Sequence, residues 1–528
     1  MIRLYKLSIT LFTLFCGAGV SYDARAEAEE ELNTESMAVL SLDHVFELID
    51  ENHPLLRSTI LNRKIARSQE LEAYSAFVPS LRQRSYLESY RDEDQKRKDG
   101  FTFTGEASWQ TPFAVELVGT ARATTIGRLS ENSLGYPSTK AYFDGVKKTK
   151  INGFSDGDIA FGIRLPLFRG LWIDEFRADL RKSRFANQLA ETQIREKRAE
   201  LFQKAADKYW EWVGSGKKLE VSEQLLKLAE VRMQGIRDRV LYGANPAIDE
   251  VEAESQIKVR QEGLAKALRE FQKESYGLSL FVWQNYNQLK LPNRSELPHL
   301  IPEPISIPAQ IWQDHLAISI LKRPELLQLD ALAKQQRIDL SLARNEILPR
   351  IDLQILPRQD LYGFQGGTAI YGAITAELPL IPLKAQSKVL KAEANIDKNA
   401  LSRTFNQQEI RTQISDALSQ IETSRERVIQ SREAFVKLEE LAEGERTRFE
   451  FGGSSLLNIN LREIAAADSQ NRLIDALVDH QKGLAYYRYA IGEWSIPGFD
   501  AGWYQGLIAI SSPQSSQPLL IKPASGAP

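Results

Sequence analysis

Two stretches of this chain, residues 172–241 and 384–451, each run for nearly 70 residues without a proline. Glycine is sparse in both (Gly214, Gly216 and Gly235 in the first, Gly444 in the second), and Ala, Glu, Gln, Arg and Leu dominate. These are good helix formers. At about 1.5 Å per residue each stretch would make a rod of roughly 100 Å. No compact core can bury such rods, so their apolar positions must be covered in hairpins and by neighbouring chains, as in a coiled coil. The apolar positions are there: Leu390, Ile396, Leu401, Phe405, Ile410, Ile414, Leu418 and Ile421 recur at helical spacing. A merely solvated charged helix would lack them.

The two rods belong to an internal repeat. Leu42-Asp-His-Val-Phe-Glu-Leu-Ile-Asp-Glu-Asn-His-Pro54 opens one copy and Leu316-Ala-Ile-Ser-Ile-Leu-Lys-Arg-Pro-Glu-Leu326 the other. A helical stretch follows in each, closing at Val78-Pro79-Ser80-Leu81 and at Leu348-Pro349-Arg350-Ile351. Pro54 and Pro79 are 25 apart, as are Pro324 and Pro349. Proline suits the first turn of a helix and the point where helix gives way to extended chain. Extended segments then end in Leu165-Pro166-Leu167 and Leu378-Pro379-Leu380, and the rods begin. Both rods stop at the same punctuation, Arg239-Val-Leu-Tyr-Gly243 and Arg448-Phe-Glu-Phe-Gly452, before helices over 247–283 and 456–492.

Between the paired prolines the period changes to two. Ile159, Phe161, Ile163 and Leu165 alternate with Ala160, Gly162 and Arg164; Ile351, Leu353 and Ile355 alternate with Asp352 and Gln354; Ile370, Ile374, Ala376 and Leu378 oppose Tyr371, Thr375 and Glu377. That is the signature of an outer-membrane barrel wall, although a half-buried soluble sheet gives the same alternation. The segment 82–90 is the least regular. Pro79 and Pro166 are 87 apart, against 30 for Pro349 and Pro379. The excess, within 91–157, reads as an enlarged surface loop or an extra hairpin, with strand-like pieces at 101–109 and 114–123. Two strands per repeat give about four per chain, fewer than the eight of the smallest outer-membrane barrels. Lipid tolerates no open sheet edge, so several copies must share one barrel.

The rest of the chain excludes more than it offers. A net charge of −3 gives no hint of a nucleic-acid partner, and a lone cysteine, Cys16, builds neither a disulfide framework nor a zinc cluster. The five histidines are scattered. There is no nucleophile elbow, phosphate-binding glycine loop or metal-spaced His/Cys cluster, so no enzyme is expected. Arg3 and Lys6, the apolar run 7–20 and Ala24-Arg25-Ala26 read as a secretory signal peptide cleaved near Ala26. Lipidation of Cys16 is disfavoured by the bulky Leu14 and Phe15 before it. No later stretch is apolar enough for a transmembrane helix. Residues 496–528 turn Ser/Pro-rich and read as a disordered tail.

The doubled Pro…Leu-Pro plan, the Leu-Pro-Leu entry to a long helix and the Arg-x-x-x-Gly turn resemble the outer-membrane efflux protein (TolC) family over roughly residues 40–495. The resemblance implies a mostly α fold with a β-barrel part. Long coiled-coil hairpins would form a periplasmic tunnel, and about four strands per protomer would contribute to a trimeric 12-stranded barrel. It implies a homotrimer in outer-membrane lipid that works with a periplasmic adaptor protein and an inner-membrane transporter of RND or ABC type, without cofactor or nucleic acid. The function would be passive export, as the exit duct of a tripartite efflux or type I secretion system. The expected layout is a signal peptide at 1–26 and a first repeat at 27–300, with helices 42–79, strands and loop 81–167 and hairpin 170–285. A second repeat at 301–495 would hold helices 310–348, strands 350–380 and hairpin 384–492.

In the family the turns between hairpin helices dock on the adaptor and close the tunnel. Here those positions are Arg239, Gly243 and Asn245 in the first hairpin and Arg448, Gly452 and Gly453 in the second. Glycine suits a turn needing positive φ, and each arginine equally suits plain helix C-terminal capping. The family's tunnel-entrance aspartates, six and nine residues past the second glycine, are replaced by Asn458 and Leu461; Asp249 and Glu252 hold those offsets in the first hairpin. Either the acidic ring has moved to the first hairpin or the channel lacks one. Three methionines and few histidines speak against a soft-metal relay, and the cargo is otherwise open. The competing reading is a soluble periplasmic coiled-coil adaptor or scaffold.

Overall fold

The computed structural model describes residues 39–91, 97–127, 157–360, 369–378 and 380–495. The expected signal peptide, Cys16 and the C-terminal tail lie outside them. The described residues form eight α-helices and eight strands, and the order helix pair, strands, helix pair runs through twice. Helices α1 (Leu42–Asn52) and α2 (Pro54–Ser75) lead into strands β1 (Ser80–Arg91), β2 (Arg97–Gln110), β3 (Glu116–Gly127) and β4 (Gly157–Pro166). Helices α3 (Glu175–Leu241) and α4 (Ala247–Ser279) follow, then a small hairpin, β5 (Trp283–Asn285) and β6 (Gln288–Leu289). The second copy runs α5 (Ala309–Lys322), α6 (Pro324–Glu346), β7 (Arg350–Asp360), β8 (Ala369–Glu377), α7 (Leu383–Glu450) and α8 (Leu456–Ala490). The long helices of 67 and 68 residues start and stop within three residues of the expected limits.

Two compact units result, and both draw on both repeats. One gathers residues 53–204, 305–424 and 483–495 of the described chain. Its helix breaks sit where the sequence placed them. His53 caps α2 by accepting the Leu55 N–H at 3.2 Å, with Pro54 in the first turn. At the matching position buried Arg323 precedes Pro324, donates to the Tyr489 and Ala490 carbonyls at 3.1 and 3.2 Å, and pairs with Glu325. A guanidinium on the last carbonyls of a helix answers its dipole. Beside it Ile410, Ile414, Ala417 and Ile421 of α7 pack on Leu326, on Leu484, Tyr487 and Ala490 of α8 and on Ile491 just after it. The N-terminal part of the same α7 stripe is uncovered, with Leu390, Leu401 and Phe405 each about two-thirds exposed.

The sheet of this unit has six antiparallel strands in the order β1-β2-β3-β4-β7-β8, not the four expected. The described part of the insertion, 97–127, is the extra hairpin of the two expected alternatives, and it lies inside the sheet. Its strands 97–110 and 116–127 are too rich in Thr, Gly and Ala to show a strong period in the sequence. Opposite residues of antiparallel strands share a face, and the register therefore sorts the side chains. One face carries Leu81, Leu87, Phe101, Phe103, Trp109, Leu117, Phe161, Ile163, Ile355, Ile370 and Ile374. The other carries Arg82, Arg84, Thr102, Thr104, Glu106, Thr120, Arg122, Arg164, Gln354 and Thr375. The apolar face is bare: Leu81 is 82% exposed, Leu87 72%, Phe161 64%, Ile370 75% and Ile374 70%. At the sheet end that meets the helices stand the exposed Trp109, Phe113, Phe168 and Trp172.

The other unit holds residues 39–52, 205–304 and 425–482. Its core includes Trp212, Val213 and Leu219 of α3, Phe271 and Leu278 of α4, and Ala476 of α8. The Tyr209 hydroxyl donates to the Leu40 carbonyl at 2.9 Å and ties down the chain before α1. Gly214 lies in mid-helix because α8 presses on it, and a Cβ there would stand 2.7 Å from Val478 Cγ2. Gly235, farther along α3, has open space around it. Overpacking a filled contact costs about 1–3 kcal/mol, whereas alanine for a free helical glycine gains about 0.5–1 kcal/mol. Gly214→Ala should lower, and Gly235→Ala should raise, the thermal midpoint followed by helical circular dichroism in detergent.

Candidate functional site

The two hairpin turns belong to the second unit, and they are built alike. Gly243 has φ +72° and Gly452 φ +76°, a left-handed backbone that only glycine takes at no steric cost. The N–H of Ala244 donates to the Arg239 carbonyl and that of Gly243 to Val240; Gly453 and Gly452 do the same to Arg448 and Phe449, all at 2.8–3.1 Å. This is the Schellman arrangement, which satisfies the last carbonyls of a helix that ends on glycine. The spacing Arg-x-x-x-Gly thus has a backbone reason, since the arginine supplies the capped carbonyl four residues before the left-handed one. After the turns, the Asn245 side chain donates to Asp249 at 2.8 Å, and Ser455 accepts the Asn458 N–H at 3.3 Å, which caps α8.

The side chains of the expected site residues divide. Arg239 reaches the other hairpin: its guanidinium lies 5.5 Å from the Phe449 ring centre and 3.5 Å from the Glu450 carbonyl. Arg448 stays within its own turn, toward the Gly453 carbonyl at 3.5 Å and Glu445 at 3.6 Å. Asp249 and Glu252 are half-buried one helical turn apart on α4, and Asn458 and Leu461 are exposed. Beneath the turns Met233, Ile236, Ala253, Leu456 and Ile459 form a small core. Around them an apolar fringe is open to solvent, with Tyr242 84% and Phe451 87% exposed and Leu241 and Ile248 also bare.

Below that core lies a charged node that the sequence reading did not single out. Glu463 of α8 is buried and receives Arg232 of α3, Arg260 of α4 at 3.1 Å and Arg446 of α7 at 3.7 Å. Asn460, one turn earlier, accepts from Arg232 at 2.7 Å and Arg260 at 3.2 Å, and Arg260 also donates to the Leu225 carbonyl at 2.9 Å. Burial pushes the Arg260 guanidinium below the ordinary arginine range, against the pull of Glu463. Four helices therefore converge on one carboxylate. A signal existed: Glu463 continues the stripe Leu456, Ile459, Ala466 at helical spacing, where an unpaired charge would be expensive.

Removing one partner from such a buried cluster costs about 3–5 kcal/mol, because the remaining charges stay desolvated. The exposed pair Arg237–Glu250, at 3.0 Å, is worth roughly 0–1 kcal/mol. Glu463→Gln should therefore shift the urea unfolding midpoint strongly downward while Glu250→Gln leaves it nearly unmoved. Equal shifts would contradict the assignment.

Among the described residues no group of His, Cys, Asp or Glu could hold a metal ion, and no helix is long and apolar enough to cross a membrane. No family model and no curated protein matches the sequence. Solved structures do match the fold. The transmembrane channel CusC is 14% identical, with a TM-score of 0.62 over 91% of this chain and 95% of its own. The outer-membrane protein VceC of Vibrio cholerae is 15% identical, with a TM-score of 0.60 over 87% and 97%. The outer-membrane channel CmeC of Campylobacter jejuni is 14% identical, with a TM-score of 0.60 over 88% of each chain. At these identities the likeness is one of fold, and the chain has the fold of the TolC-like outer-membrane channels.

Proposed function

We propose that the protein is an outer-membrane channel: a homotrimer that passively conducts cargo delivered by an inner-membrane transporter of RND or ABC type through a periplasmic adaptor. The observation that carries this is the sheet with one polar face and one bare apolar face. A continuous exposed surface of Leu, Ile and Phe is costly in water and suits lipid. Its rim of Trp109, Phe113, Phe168 and Trp172 matches the aromatic girdle of a membrane interface. A soluble adaptor or scaffold has no use for such a wall. The free edges of β1 and β8 call for sister copies, and the uncovered Leu390, Leu401 and Phe405 of α7 offer them a helical contact.

The division into a first repeat at 27–300 and a second at 301–495, with a signal peptide cleaved near Ala26, is part of this reading. So is a docking role for the turns. The exposed Tyr242 and Phe451 flank Gly243 and Gly452 and give an adaptor an apolar surface, framed by Arg239, Asn245, Arg448 and Gly453. Such a channel needs no catalytic group and no cofactor.

Fractionation of cells making the full chain tests the central claim. The protein should sediment with outer-membrane markers, stay there through a carbonate wash and run as a trimer in detergent. A soluble or monomeric protein would end the reading. Selectivity tests the entrance: if Asp249 and Glu252 form an acidic ring, Asp249→Asn with Glu252→Gln should lower the cation preference of channels in planar bilayers severalfold. An unchanged reversal potential would leave the channel without such a ring.

A further inference from the structure

The hairpin β2–β3 stands between β1 and β4, which therefore do not touch as neighbours. It is fully integrated: β1 and β2 pair from Ser80↔Ser108 to Arg91↔Arg97, and β2 and β3 from Gln110↔Glu116 to Asp99↔Gly127. The alternation of faces continues across it without slip. Phe101, Phe103, Ala107 and Trp109 face the same way as Leu117, Gly119 and Ala121, and then as Phe161 and Ile163 of β4. On the opposite face Thr102, Thr104 and Glu106 run into Thr120, Arg122 and Glu116, and Glu116 pairs with Arg164 of β4 at 2.8 Å. The hairpin turn also adds to the aromatic rim, with Trp109 donating to the Phe77 carbonyl at 2.9 Å and Phe113 bare beside it. A surface appendage needs none of this. It could be polar on both faces and would carry no interface aromatics.

We propose that β2 and β3 are membrane-wall strands, so that three copies close a barrel of eighteen strands, the free edge of β1 in one copy pairing with β8 of the next. This rests on the trimeric channel proposed above and fixes the size of its outer pore. Barrel diameter grows about linearly with strand number, so eighteen strands make a wall about 1.5-fold wider than twelve; at ~4.8 Å spacing and ~40° tilt the backbone diameters are about 35 Å and 24 Å. The inserted hairpin is thus a determinant of cargo bulk, and the wall passes cargo that a twelve-strand wall of the same trimer would refuse.

Cysteine pairs read the strand order directly, with Cys16, the only native cysteine, replaced by serine. Arg84→Cys with Thr104→Cys bridges β1 to β2, and Thr120→Cys with Ala160→Cys bridges β3 to β4. Arg82→Cys with Ala160→Cys probes β1 against β4, three strand spacings or about 14 Å apart in the six-strand sheet and out of disulfide reach. In outer-membrane trimers the first two pairs should oxidise within one chain and the third should not. A trimer that forms the third disulfide and neither of the others has twelve strands and overturns the inference alone. The hairpin enters and leaves at one end of the sheet, so replacing residues 92–156 with a short turn should leave a twelve-strand trimer. Electron micrographs of nanodisc-embedded particles should then show a barrel about 1.5-fold narrower than that of the intact chain. Equal widths would also overturn it. A chain that is not a membrane trimer at all would overturn both this inference and the channel reading beneath it.

Discussion

Every backbone N–H and C=O in the hydrocarbon of a bilayer must find a partner within protein, and on the proposed channel reading the rest of this molecule follows from that demand. Six strands satisfy each other except along β1 and β8. In a bilayer those two edges could not be left to lipid, and the sheet would be complete only as part of a larger ring. The side chains divide in keeping with that logic, for Leu, Ile and Phe dominate one face of the sheet while the opposite face keeps Arg82, Arg84, Glu106, Arg122 and Arg164. On that reading the aromatic residues at one rim lie where hydrocarbon gives way to water.

The helices solve a different problem. A helix of 68 residues such as α7 cannot hide its apolar stripe in a single core, and the structure shows how the stripe is shared. Ile410, Ile414 and Ile421 are buried within the chain, whereas Leu390, Leu401 and Phe405 on the same helix are not. Where helices must approach most closely a glycine is spent, as at Gly214 against Val478. At the ends of both hairpins the Schellman turn returns the chain, and beneath them a single carboxylate, Glu463, gathers arginines from three other helices. A buried node of this kind is weak evidence for net stability. It does fix the register of the helices that share it, because a slip of one turn would strand a charge.

Much of this was legible before any coordinates. The long proline-free runs, the twofold plan marked by Pro54, Pro79, Pro324 and Pro349, and the Arg-x-x-x-Gly turns set the helices within a few residues. Strands at 159–165, 351–355 and 370–376 announced themselves by alternation, since the large apolar residues there fall on one face. The β2–β3 hairpin was harder to read because Thr, Ala and Gly fill both of its faces and blur the period. The charged node was harder still, since a buried Glu and a solvated Glu look the same in a helical sequence until the partners are known.

The sequence alone therefore determined the local elements, their order and their duplication, because helix propensity, proline placement and glycine at positive φ act over a few residues. It also separated the apolar from the polar side of three of the six sheet strands, β4, β7 and β8. Only the tertiary structure decided that the insertion joins the sheet between β1 and β4, and that Arg232, Arg260 and Arg446 meet on Glu463. Strand neighbours and ion partners are matters of contact between residues tens to hundreds of positions apart. No pattern within one segment encodes them.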